Sequence, residues 1–287
     1  MKTLLSTDTS CLLSTDSLKD YNISVFPLNV LIDEVEYLDG VTINQEQLCV
    51  AMRSNKSIKT STPPMGVVVE YFEKLFEQGY ERIIHFTISS KFSSMYSLFQ
   101  TVSTNFFDNK IIVIDSLGVS SIMLSEVLYT YEELQKGTSI EDILPHLEEI
   151  RNKSKVYFIP ENLNALKNGG RISPAVAMIG NTFGIKPVIS LTGGELAKSG
   201  TARNIRVAFF GKIKEFIEEY DHTQYNYSLI DFDGSQGNVS SIERHLKESV
   251  GEENVIKGII PVNLCAHCGP GTIGLVITPK IGTINLK

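Results

Sequence analysis

Apolar residues in the first half of the chain fall into two recurring patterns. Residues 2–7, 82–88 and 110–115 are short apolar runs bounded by polar or turn residues, the signature of buried strands. Between them the apolar spacing changes to three and four. Val68, Phe72, Leu75 and Phe76 share one face of a helix predicted over residues 67–78 and closed by Gly79. Further helices are predicted over residues 93–106, 119–136 (stopped by Gly137) and 139–153, and Asn44 caps one over residues 45–53. Residues 23–32 read as extended, with Pro27 forcing an edge strand or a broken one, and residues 35–40 as a hairpin or loop. Strands alternating with helices imply a parallel sheet covered on both faces.

The second half loses that regularity. Residues 155–159 read as a strand, 168–172 as a turn, 174–181 as a helix and 185–191 as a strand entering a Gly193-Gly194 hairpin turn. Residues 202–220 follow as a long helix, then strand, helix, strand and strand over 225–232, 239–250, 254–261 and 271–278. The expected fold class is therefore α/β in two domains. An N-terminal parallel-sheet α/β domain spans residues 1–153, and a C-terminal α+β domain spans 154–287.

Composition narrows the functions. A chain of 287 residues, 42% apolar and 21% charged, can bury a core without disulfides or metals. A net charge of −7 argues against a nucleic-acid partner. No run is long enough to span a membrane, so stable membrane insertion is not expected. The N-terminus has one Lys and only a short apolar segment, unlike a signal peptide, which makes the cytoplasm the expected compartment. Cys265 and Cys268 form a C-x-x-C, but Cys11 and Cys49 supply no second close pair for zinc. The pair also precedes a Gly-Pro-Gly turn rather than opening a helix, so unpaired thiols are expected over a redox or metal centre.

Two hydroxyl-rich loops carry the first chemical signal: Thr60-Ser61-Thr62-Pro63-Pro64 before a helix starting near Met65, and Ser89-Ser90-Lys91-Phe92-Ser93-Ser94 after a strand. Such loops bring free backbone N–H groups and hydroxyls together and suit an anion, although helix capping alone uses the same residues. Gly169-Gly170-Arg171-Ile172 holds an Arg at a sharp turn, where its planar fork can meet a carboxylate or phosphate. His267 stands before Cys268-Gly269-Pro270-Gly271. A serine hydrolase using Ser93, His267 and Asp8 or Asp115 is the competing class, but G-x-S-x-G is absent.

Taken in order, these segments resemble the DegV family, the bacterial fatty-acid-binding proteins. Thr60-Ser61-Thr62-Pro63 is similar to its TSQPS-type segment, Ser89 to Tyr96 to its SSKLSGTYQ segment, and Leu166 to Ile172 to its L-x-x-GGRI. His267 to Gly271 resembles its H-T-G-P-G, with Cys268 in place of Thr. Asp8-Thr9-Ser10, the Asp39-Gly40 segment and Thr201-Ala202-Arg203 also match, so the resemblance spans essentially the whole chain.

The resemblance implies a long-chain fatty acid closed between the two domains. By carry-over, Thr62 and Ser93 hydrogen-bond its carboxylate, with Arg171, His267 and Ser61 at the same headgroup, and Phe92, Ile122 and Met123 along the tail. It also implies a partner, the ATP-binding catalytic subunit of a fatty-acid kinase, with Arg203 contributing to docking. The chain has no G-x-x-x-x-G-K-[ST] loop and no kinase signature set, so it is expected to be the lipid-binding carrier rather than the enzyme, with no cofactor or metal of its own. Gly is lost from Ser93-Ser94-Met95-Tyr96, and Ile122 and Met123 stand where the family has a Gly-rich helix start. Both departures bear on which acyl chain fits.

Overall fold

The computed structural model describes residues 2–12, 21–171 and 185–280. The chain opens with β1 (Thr3–Asp8), β2 (Ile23–Phe26), β3 (Asn29–Ile32), β4 (Val35–Leu38), α1 (Gln45–Arg53) and β5 (Ile58–Ser61). It continues through α2 (Met65–Phe76), β6 (Arg82–Thr87), α3 (Met95–Phe106), β7 (Ile111–Asp115), α4 (Ser121–Gln135) and α5 (Ile140–Lys153). Then come β8 (Lys155–Ile159), α6 (Asn164–Asn168), β9 (Lys186–Thr192), β10 (Glu195–Ala202) and α7 (Ile205–Glu219). The described chain closes with β11 (Tyr225–Phe232), α8 (Gln236–Val250), β12 (Val255–Ile259), α9 (Val262–Cys268) and β13 (Thr272–Pro279).

The first sheet is all parallel, in the order β2-β1-β6-β7. Its strands read as near-continuous apolar runs because both faces are covered. Leu4, Ile83 and Ile111 pack toward α2 and α3, among Phe72, Phe99 and Val102, while Leu5, Ile84 and Phe86 face the opposite way into a second core. His85 stacks on Phe99 at 4.2 Å and its Nδ1 meets Ser6 Oγ at 2.8 Å, while its Nε2 is buried without a hydrogen-bond partner, so it is a core histidine. Pro27 ends β2, and the chain crosses into a separate antiparallel sheet, β4-β3-β5. The capping expected at Asn44 is present in full: its side chain accepts from Gln47 N, and the Gln47 side chain returns to Asn44 N.

The second sheet is mixed, in the order β10-β9-β8-β13-β11-β12, with only β11 and β12 parallel. Strand alternation divides its central strand. Ile273, Leu275 and Ile277 of β13 join the core beneath α7 and α8. Thr272, Gly274 and Val276 point to the other face, toward α4 and α5 and the first half of the chain.

Three elements differ from expectation. The helix predicted over 202–220 begins only at Ile205, because residues up to Ala202 form the edge strand β10 and Asn204 caps the helix by accepting from Val207 N. Residues 164–168 make a helical turn ahead of Gly169, and residues 262–268, where no element was expected, form α9, which carries Cys265 and Cys268 up to the Gly-Pro-Gly turn. The helix predicted over residues 174–181 lies outside the described residues.

Candidate functional site

Both hydroxyl-rich loops end at helix N-termini, and the fold brings these ends together. Thr60 and Ser61 finish β5 and Thr62 leads through two prolines into α2, while Ser93 and Ser94 lead into α3. Thr62 Oγ1 lies 2.7 Å from Ser94 Oγ. Thr62 is therefore not a cap: Pro64 occupies that position in α2 and Ser94 in α3, and neither side chain caps its helix. In the first turn of α3 Met95 N donates to Ser93 Oγ at 3.3 Å, and Pro64 gives α2 no side-chain cap, so both helix N-termini near the Thr62–Ser94 contact keep N–H groups without a capping side chain. That arrangement attracts an anion.

His267 arrives from the other half of the chain. The short α9 packs against β3, β5, α1 and α6, which seats His267 Nε2 at 2.9 Å from Thr60 Oγ1. Its Nδ1 atom is buried without a hydrogen-bond partner. Burial, with the positive charge of Arg171 second, pushes the imidazole pKa down to about 4, so it is neutral at pH 7. Room for the ring comes from Gly169, where a methyl group would lie 2.3 Å from Nδ1. Gly170 turns the chain at φ +66°, a conformation glycine adopts without a steric penalty. Arg171 is thereby held at the rim, where its Nε donates to Phe92 O at 3.2 Å and Nη1 to Gly169 O.

Behind these groups an apolar cavity of about 180 Å³ runs between the halves of the chain. Thr60, Ser61, Thr62, Ser93, Ser94, Arg171 and His267 line it, which unites all five expected headgroup residues. The walls come from Phe92, Met95 and Val119 on one side and Val156, Phe158, Ile230 and Val276 on the other. Of the three expected tail residues only Phe92 lines the cavity. Ile122 and Met123 do not: both are buried in the core of α4, and the Ile122 side chain packs over Gly118. Arg203 is exposed in the link between β10 and α7, away from the cavity lining.

The β9–β10 hairpin, absent from the sequence-level site, closes the cavity with Leu191 and Leu196. Its tip reaches the other half of the chain: Ser89 Oγ donates to Gly194 O at 3.4 Å, and Lys91 lies 3.6 Å from Glu195. Gly194, at φ +80°, makes that approach possible.

A buried polar cluster supports the site from below. Asn263 on α9 lines the cavity, donates through N to Asp39 Oδ2 at 2.9 Å, and donates through Nδ2 to Ser10 Oγ at 2.7 Å. Asp8 accepts from Ser10 N and Ile88 N at 2.8 and 2.7 Å. Burial pushes Asp8 up to about 6 and Asp39 up to about 7, against the lowering effect of these hydrogen bonds. The sequence marked Asp39 only through resemblance and Asp8 through resemblance and as a candidate acid of a hydrolase, and nothing in it pointed to Asn263.

The geometry does not assemble a hydrolase. His267 Nδ1, which a triad would anchor on a carboxylate, has no partner, and His267 Nε2 meets Thr60 instead of Ser93. Asp8 and Asp115 are engaged by backbone amides. Cys265 donates to Ile260 O, and burial raises its thiol pKa well above the ordinary range, which disfavours a reactive thiolate. Among the described residues no cluster of His, Cys, Asp or Glu could hold a metal ion, and no described helix is long and apolar enough to cross a membrane.

Comparison with known proteins agrees with this architecture. A family model described as an uncharacterised protein of the DegV family matches residues 2–280. A DegV domain-containing protein of Staphylococcus aureus strain MRSA252 is 29% identical over 288 residues, covering 97% of this chain and 99% of its own. A solved DegV family protein from Thermus thermophilus, described by its fatty acid binding, superimposes with a TM-score of 0.88 at 25% identity, covering 98% of this chain and all (100%) of its own. DegV from Bacillus subtilis, described as a fatty acid binding protein, has the same fold, with a TM-score of 0.85 at 23% identity over 98% of this chain and 100% of its own.

Proposed function

This chain belongs to the DegV family, and from that premise we propose that it is a carrier that buries one long-chain fatty acid and presents its carboxylate to a kinase. The observation that carries this reading is the polarity of the cavity. Its exposed lining is mostly apolar, and it brings Thr62, Ser93, Arg171 and His267 into one space, with Thr62 against Ser94, His267 against Thr60 and Arg171 against Phe92 O. The described fatty acid binding of the Thermus thermophilus and Bacillus subtilis proteins supports the same ligand class.

In this reading Thr62 and Ser93 donate hydroxyl hydrogen bonds to the carboxylate, at the shared N-termini of α2 and α3. Arg171 supplies the positive charge at the rim, and Ser61 lies beside them. Asp8 and Asp39 lie beneath the site with pKa values raised toward neutrality, which weakens their repulsion of a bound anion. The hydrocarbon dominates affinity: burying about twelve methylenes at ~0.8 kcal/mol each gives on the order of 10 kcal/mol before binding costs. The polar groups fix orientation.

The carboxylate is then the nucleophile toward the γ-phosphorus of ATP held by a kinase catalytic subunit, giving acyl phosphate and ADP. Arg203, exposed beside α7, is assigned to that partner's docking surface. Native mass spectrometry of freshly purified protein, followed by denaturing extraction, tests the reading. One fatty acid per chain is the expected result. A protein that is empty and also refuses added fatty acid overturns it.

A further inference from the structure

The β9–β10 hairpin is fixed to its own sheet for only part of its length. β9 pairs with β8 at Phe158↔Ile189, Tyr157↔Ser190 and Val156↔Leu191, and the pairing stops there. Residues 192–195 project past that last pair, and their seat lies on the other half of the chain. Gly194 is buried although Thr192, Gly193 and Glu195 around it are exposed. A methyl group on Gly194 would meet Ser89 Oγ at 3.2 Å, Lys91 Cγ at 3.3 Å and Leu117 O at 3.4 Å, all from the first half. One on Gly193 would meet nothing within 4 Å. One residue of the turn is seated and the other is free.

Two features tie that seat to the site. Leu191 and Leu196 pair across the hairpin close to its tip, and both line the cavity. Lifting the tip draws this leucine pair away from the wall. On the other side, Ser89 organises the loop that presents Ser93. Its backbone O accepts from Phe92 N and Ser93 N at 3.0 and 3.2 Å, and its Oγ accepts from Lys91 N at 3.2 Å while donating to Gly194 O at 3.4 Å. The seat of the tip and the headgroup loop are thus one segment. The polar contacts that hold the tip are weak. An O–H···O bond is ordinarily about 2.5–3.0 Å long, and the Lys91–Glu195 pair is exposed, with 3.6 Å between its charged atoms. Contacts of that kind mark a segment that opens at low cost while the core stays folded.

We propose that the β9–β10 hairpin is a strap over the cavity, and that its tip, seated on Ser89, Lys91 and Leu117, sets the rate at which the fatty acid enters and leaves. This rests on the fatty-acid reading above and adds to it the route of exchange. With the tip seated, Leu191 and Leu196 complete the wall and Ser89 is held from both halves of the chain. With the tip lifted, the wall opens beside the leucine pair, and the headgroup loop loses its contact with Gly194 in the same movement.

The test uses the intact protein with Gly194→Leu and, as a control, Gly193→Leu. Both glycines have positive φ, so a side chain strains the turn in either variant, but only at Gly194 does it strike the seat. Each protein is loaded with a fluorescent long-chain fatty acid and mixed with an excess of phosphatidylcholine vesicles. The release rate is read from the loss of protein-bound signal, and folding is checked by urea denaturation. Overpacking the seat should make Gly194→Leu release the acid about tenfold faster than Gly193→Leu. Equal rates in the two variants overturn the proposal and leave the tip a structural contact alone. If Gly194→Leu does not fold, the charge pair decides. Glu195→Lys sets two cations together without new packing, so release should quicken about twofold or more at low salt and return when Lys91→Glu is added; release at the parental rate from Glu195→Lys then overturns the proposal. Failure of the unmodified protein to take up the acid is a different result: it overturns the fatty-acid reading itself.

Discussion

Gly169→Ala isolates the seat of His267. Alanine suits the backbone there, because Gly169 has φ −73° and ψ −14° at the end of α6. By the unfolded-state argument alone the substitution should stabilise by about 0.4–1 kcal/mol. The folded state opposes it. The new methyl would lie 2.3 Å from His267 Nδ1, more than 1 Å short of an ordinary 3.4 Å contact, so the ring must move. Moving it breaks the 2.9 Å contact between Nε2 and Thr60 Oγ1. That loss is about 0.5–1.5 kcal/mol, and overpacking adds about 1–3 kcal/mol. In a His267→Ala background the obstruction is gone and alanine should return to its intrinsic advantage. The 3.2 Å approach to Ala165 O is common to both backgrounds and cancels. Urea denaturation of lipid-free protein at pH 7, run as a double-mutant cycle, should therefore give a coupling of about 2–4 kcal/mol. A coupling within about 0.5 kcal/mol of zero would show that Gly169 does not make room for His267 and would refute the reasoning.

Ser93→Ala should cut retention of fatty acid about 10–100-fold by removing one hydrogen bond to a carboxylate. Unchanged lipid occupancy after purification would remove Ser93 from the headgroup site. Arg171→Ala, at an exposed position, should leave the urea midpoint unchanged but slow phosphorylation of bound acid by the proposed kinase partner about tenfold or more; a normal rate counts against it. Asp39→Asn tests the buried acid. With its folded pKa raised from 3.8 to about 7, the native protein holds a proton that the unfolded chain has released, so stability falls as pH rises from about 4 to 7 and then levels off. Asn does not titrate. The variant's stability relative to the parent should climb across that window by up to about 4 kcal/mol, at ~1.36 kcal/mol per unit, and a difference that stays flat from pH 4.5 to 8 would contradict the assignment.

Much of the architecture was legible because its elements carry strong periods. Val68, Phe72 and Leu75 marked the buried face of α2, and the apolar run of β6 marked a strand buried on both faces. β10 was not legible. Its sequence is polar and small, it lies at a sheet edge, and its pairing slips between Lys198 and Gly200, so no alternation survives to separate it from the helix that follows. The expected headgroup residues came from motifs, since nothing in their spacing places Thr60 beside His267 or Arg171 beside Phe92. Ile122 and Met123 were misplaced for a physical reason. Every residue of α4 from Ser121 to Thr130 is buried, so the helix has no polar face to show which side meets the cavity.

The cavity wall is held jointly: Phe92 and Met95 come from the first half of the chain, Phe158 and Val276 from the second. An occupant of such a space works as a removable piece of core. It binds the native state and not the unfolded one, and so adds RT ln(1 + [L]/Kd) to stability, about 2.7 kcal/mol at a hundredfold excess over Kd. Emptying the protein withdraws that increment from the contact between its two halves, where local opening is then easiest. The lifetime of the protein against proteases thus becomes a readout of how much ligand is available. A cell short of the ligand would lose the empty copies of the protein first, without any dedicated regulator.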